Sequence, residues 1–137
     1  MLPAEELLAR MSSLLRHEIG PAVTEPFPKT QAFMASVVLE KVAAQLRHGA
    51  AHALANEADR RALAEDLMVA TMASDPAALR EAIAALDTAE GDAALGPIVA
   101  ALYAARSELG PHRFDALLGR VRHTLRARLD RQLEVAS

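Results

Sequence analysis

The sequence contains no cysteine and no tryptophan. Without cysteine there are no disulfides, no thiol nucleophile and no cysteine-ligated zinc or iron–sulfur centre, which fits a reducing compartment. Aromatic residues are scarce, with one tyrosine and three phenylalanines among 137 residues. That is too few for the stacking platforms on which single-stranded nucleic acids are held. No apolar run approaches the roughly 18 residues of a membrane-spanning helix, and the acidic first turn at Glu5-Glu6 does not read as a secretory signal. The expectation is a cytoplasmic protein with no membrane partner. A glycine-rich phosphate loop, a nucleophile elbow and a serine beside an acid–base pair are all missing too. No catalytic residue is nominated, and no cofactor is expected.

Apolar residues make up 52% of the chain. Alanine and leucine supply most of them, and both are strong helix formers, whereas strand-favouring residues are sparse. The length suits one domain, 1–137, with room for a core. The predicted fold is all-α, a single-domain bundle of five to six helices. Pro3 suits a first helical position, and Leu7, Leu8, Met11, Leu14 and Leu15 recur at helical spacing until Gly20-Pro21. Residues 20–30, with three prolines, read as an irregular connection. Thr30 is the expected N-cap of a second helix ending near His48-Gly49, and a third helix is expected from Asn56-Glu57 to about Met72. Asp75-Pro76 marks a fourth start, with an end near Glu90-Gly91. A fifth helix is expected from Pro97 to Leu109, and a last one from Pro111 to about Val135.

Charge is uneven along the chain. Residues 1–110 hold nine Lys/Arg against fifteen Asp/Glu, and residues 111–137 hold six arginines against three acids. The last helix combines an apolar stripe (Phe114, Leu117, Leu118, Val121, Leu125, Leu129, Leu133) with flanking arginines that include Arg120, Arg122, Arg126, Arg128 and Arg131. Such a helix can lie against the acidic body or meet an acidic partner or phosphates. Sequence-specific nucleic-acid binding would need a helix-turn-helix or aromatic platforms, and neither pattern is present, so an arginine-rich nucleic-acid-binding protein is kept only as an alternative.

Within the second predicted helix, Ala35, Val38, Leu39, Val42, Ala43 and Leu46 form a wide apolar face expected to be core. Phe33 and Val37 fall among polar residues, including Lys41 and His48, on the other side. Two large apolar residues there suggest a contact surface, either for a partner protein or for a second copy in a homodimer. Phe33, Val37, Lys41, His48, Arg122 and Arg126 are the candidate partner-interface residues. His48 and His52, four residues apart, could offer half of a metal site on an unbroken helix. No third ligand is evident at metal-binding spacing, and Gly49 between them reads as a helix end, so a His48–His52 metal site is kept only as an alternative.

The stretch "MASVVLEKVAAQLRHG" (34–49) resembles a small all-helical bacterial family whose pattern here reads Val-Ala-Ala-Asn-Ala-Leu, three residues, Val-Ala-Arg-Glu-Leu, then Gly. Leu39, Val42, Leu46 and Gly49 fall on its apolar and glycine positions, and "LREAIAALDTAEG" (79–91) is similar to a later block. The resemblance extends over about residues 5–135, through motifs of low information. It implies an accessory subunit of an aminoglycoside-phosphotransferase-like kinase that phosphorylates hydroxyacyl-CoA, ahead of phosphate elimination in hydroxy-acid breakdown. Catalysis would then belong to the kinase partner, and this chain would not be an enzyme. The family's Asn falls on Val37 and its Arg-Glu pair on Ala44-Gln45, so no site residue is carried across.

Overall fold

The computed structural model describes residues 1–88 and 91–136. Every regular element among them is helical, as the Ala- and Leu-rich composition dictates. Helix α1 spans Ala4–Leu14 and passes through a π-helical stretch, Leu15–Ile19, into a short turn, Gly20–Ala22. Helix α2 covers Pro26–Ala70, α3 Ala77–Thr88, α4 Leu95–Ala104 and α5 Pro111–Ala136. A 3₁₀ turn at Gly91–Ala94 precedes α4, and a single helical turn, Arg106–Leu109, follows it. The expected end of the third helix's successor at Glu90 lies outside the described residues.

Two boundaries differ from the sequence reading. The expected 20–30 connection shrinks to Val23–Glu25, because Pro26 and Pro28 sit in the first turn of α2, where a missing N–H costs nothing. Thr30 is therefore no cap, and its hydroxyl donates to the Pro26 carbonyl one turn back. The expected break at Gly49 is absent, and α2 continues unbroken past it. Gly110 is the glycine that takes a positive φ, at 79°, and it separates the Arg106–Leu109 turn from Pro111 at the start of α5.

The chain divides into two compact units. The central unit, Ala53–Arg131, has an ordinary apolar core. Leu63, Ala64 and Leu67 of α2 meet Leu79, Ile83 and Leu86 of α3, Leu95, Ile98 and Leu102 of α4, and Phe114, Leu117, Leu118 and Val121 of α5. Each set recurs at three- and four-residue steps, which places it on one helix face. Tyr103 meets Phe114 edge-on at 5.1 Å, and the Arg106 guanidinium lies 5.0 Å from that ring's centre. Arg60 is buried and donates to the Leu86 and Asp87 carbonyls at the end of α3, placing a cation where helix carbonyls lack partners.

The N-terminal unit, Met1–His52 with Gln132–Ser137, is built differently. The three-residue connection Val23–Glu25 folds α1 back on the first part of α2 as a helical hairpin. Its buried residues among those described are Ser12, Gly20, Ser36 and Ala43, all of them small. The Ser12 hydroxyl donates to the Ser36 carbonyl at 2.7 Å, and the Ser36 hydroxyl donates to the Phe33 carbonyl at 2.7 Å. At Gly20, an added Cβ would lie 2.8 Å from the Leu15 carbonyl oxygen and 3.1 Å from the Phe33 ring. Small residues thus let the two backbones approach closely, and the large side chains turn elsewhere.

Candidate functional site

Rotating α2 onto its small-residue seam places the expected core face in solvent. Of Ala35, Val38, Leu39, Val42, Ala43 and Leu46, only Ala43 is buried and Leu39 half-buried. Val38 is 58% exposed and Leu46 52%. The assignment of this face to the core is therefore corrected, because the seam against α1 is drawn along Ser36 and Ala43. The neighbouring Met34 is 61% exposed, and on α1 Leu7, Met11 and Leu14 are each close to half exposed. The sequence reading missed this surface because periodicity shows that a face is apolar without showing what covers it.

The six interface candidates fall in both units. Phe33 is half-buried and packs on Gly20, so it is a structural residue of the hairpin. Val37, Lys41 and His48 are exposed on α2, and the Lys41 ammonium donates to the Ala136 carbonyl at the end of α5. Arg122 and Arg126 belong to the central unit and are exposed. Arg126 donates to Asp130 at 3.2 Å, one turn along α5.

His48 and His52 do share a helix face, with ring centres 5.7 Å apart and nearly parallel. His52 lies 3.3 Å from the Glu134 carboxylate. No group of three or more His, Cys, Asp or Glu side chains among the described residues is placed to hold a metal ion. Continuity through Gly49 supplies the pair's geometry and leaves it without a completed ligand shell.

In the central unit, the arginines of α5 meet acids of α2. Arg120 pairs with Asp66 at 2.7 Å and also donates to its carbonyl, while Arg131 reaches Asp59 and the Asn56 amide oxygen. Beside these pairs runs an open groove of about 810 Å³ that includes Asp59, Asp66, Arg120, His123 and Thr124 on its walls and Ala62 and Gly119 between them.

Among the described residues, Asp75 carries the one strongly perturbed carboxylate. Expected as an N-cap, it turns back to accept the Met72 N–H at 2.7 Å and binds Arg113 through both oxygens, at 2.7 and 2.8 Å. The Arg113 hydrogen bond, opposed in part by burial, lowers its pKa to about 2. Arg113 also donates to the Ala70 carbonyl at the end of α2. This bidentate pair ties the α2–α3 connection to α5, and its geometry serves structure rather than proton transfer.

No helix among the described residues is long and apolar enough to cross a membrane. The chain matches no protein-family model, no curated protein and no solved structure.

Proposed function

We propose that this chain is a non-catalytic helical subunit whose task is to bind other protein chains. One observation carries the reading. Among the described residues, the N-terminal unit buries only Ser12, Gly20, Ser36 and Ala43, while Leu7, Met11, Leu14, Met34, Val38, Val42 and Leu46 stand in solvent. Exposed contiguous apolar surface on a small unit marks a contact site, and a unit without a large buried side chain gains little stability alone. Acids and arginines in the central unit that could have formed a reactive cluster are paired with one another.

The sequence resemblance suggests the enzyme served, a phosphotransferase-like kinase acting on hydroxyacyl-CoA. On this reading the kinase meets the exposed residues Val37, Lys41 and His48 of α2, and Arg122 and Arg126 of α5. Phe33 is left out because it is occupied by Gly20. Co-purification from the native host tests the reading. A phosphotransferase-like chain is expected to accompany this one, and phosphate transfer to hydroxyacyl-CoA is expected to fall when it is removed. A kinase that never co-elutes with this chain and is fully active alone would end the proposal.

A further inference from the structure

We infer that the exposed apolar face of the N-terminal hairpin is covered by a second copy of the same face, forming a two-fold symmetric four-helix bundle. The inference rests on reading the N-terminal unit as a docking unit, and it names the occupant of one surface on that unit.

The first argument is geometric. At about 100° per residue, the apolar stripe Leu7–Met11–Leu14 of α1 lies roughly 130° around the helix from buried Ser12. The stripe Met34–Val38–Val42–Leu46 of α2 lies about the same angle, in the same sense, from buried Ser36 and Ala43. In an antiparallel hairpin, equal rotations of the same sense bring both stripes to one side. Half-buried Leu8, Leu15 and Leu39 lie on that side, between each stripe and the seam. The result is half of a four-helix bundle, with two helices presenting one shared apolar face.

The second argument is charge. From residue 27 to residue 50, Lys29, Glu40 and Arg47 fall on the other half of α2, and Lys41 stands at the edge of the stripe beside Met34. The stripe holds apolar residues with Gln31 and Gln45. Arg10 on α1, and Glu18 in the π-helical stretch after it, lie beside Met11 and Leu14. In an isologous contact each residue near the symmetry axis meets its own counterpart, so any charge there would face a like charge. The stripes Leu7–Met11–Leu14 and Met34–Val38–Val42–Leu46 carry no charge and meet that condition, with Arg10, Glu18 and Lys41 beside them.

The third argument is area. Seven Leu, Met and Val side chains, each roughly half exposed, expose on the order of 600 Å², close to the ~800 Å² that each partner of a stable complex buries once intervening residues are added.

Sedimentation equilibrium of the full chain tests the inference. At micromolar concentration it is expected to give twice the 14.6 kDa chain mass, and Val38→Glu or Met11→Glu is expected to raise the dimer dissociation constant at least 100-fold. Val69→Glu, at an exposed position of the central unit, is expected to leave it unchanged. Should the face variants lose helix, the wild-type chain still decides: its melting temperature is expected to rise with protein concentration, since dimerisation stabilises the folded form by mass action. A wild-type chain that stays monomeric, or a dimer indifferent to both face charges, would overturn the inference. A dimer that ignores the kinase ends the kinase reading alone, whereas a monomer that binds the kinase ends this one alone.

Discussion

The two units of this chain draw on the same Ala- and Leu-rich alphabet and use it in opposite ways. In the central unit, Leu67, Leu79, Ile83, Leu86, Ile98, Leu102 and Val121 are almost wholly out of water. Their burial, worth about 1.5–3 kcal/mol for each large side chain, offsets the ordering of the backbone. In the N-terminal unit the seam is drawn through Ser12, Gly20, Ser36 and Ala43, which contribute close approach and one buried hydrogen bond. The difference teaches that an amphipathic pattern does not say where its apolar face is used. One unit spends that face on itself, and the other holds it out.

Substitutions sharpen this contrast. The largest effect is expected in the central core, where Leu67→Ala or Ile98→Ala should cost about 2–5 kcal/mol, read from urea or thermal unfolding. A loss below about 1 kcal/mol would mean that this core is not packed as described. Next comes the Asp75–Arg113 pair. Arg113→Met leaves a buried carboxylate without its fork of donors and should destabilise by about 2–3 kcal/mol.

The same pair predicts a pH dependence. The folded pKa of Asp75 is lowered to about 2 from an ordinary 3.8. Its contribution is therefore fully present above about pH 4 and lost as pH falls towards 2. Urea midpoints measured across that window should fall for the wild type and fall less for Asp75→Asn, which cannot titrate.

In the N-terminal unit the sensitive position is a glycine instead. Gly20→Ala pushes a methyl group against the Leu15 carbonyl and the Phe33 ring, and about 1–3 kcal/mol of destabilisation is expected, visible as loss of helical circular dichroism at lower temperature. Smallest, and of opposite sign, is Gly49→Ala. Gly49 is helical with nothing within 4 Å of an added Cβ, so alanine should stabilise by about 0.5–1 kcal/mol. A destabilising Gly49→Ala would mean that the helix is not continuous there.

Much of the helical architecture was legible in the residues. Pro3, Asp75-Pro76 and Gly110-Pro111 punctuate the chain close to observed boundaries, because proline and glycine act on local backbone geometry that no tertiary contact needs to supply. Gly20-Pro21 lies within two residues of the end of the first helical run at Ala22, whereas Gly49 misled for the same reason in reverse. A glycine permits a helix to stop without requiring it, and a proline in a first turn permits one to start. The apolar stripe of α5 was legible as a stripe, yet Phe114, Leu117, Leu118 and Val121 are buried while Leu125, Leu129 and Leu133 are exposed. Burial depends on which neighbour arrives, and that information is spread over the whole chain.

The sequence by itself determined that the protein is helical, that it has no thiol chemistry, and that its arginines are concentrated at the end of the chain. These follow from composition and local propensity. Only the tertiary structure decided that α2 runs unbroken from Pro26 to Ala70, that arginines of α5 are engaged by acids of α2, and that Ser36 and Ala43 rather than Val38 and Val42 face α1. The last decision turns on steric fit. A seam of small residues lets two helices approach more closely than one of valines and leucines, and the apolar side chains it excludes become the surface through which the protein is proposed to assemble.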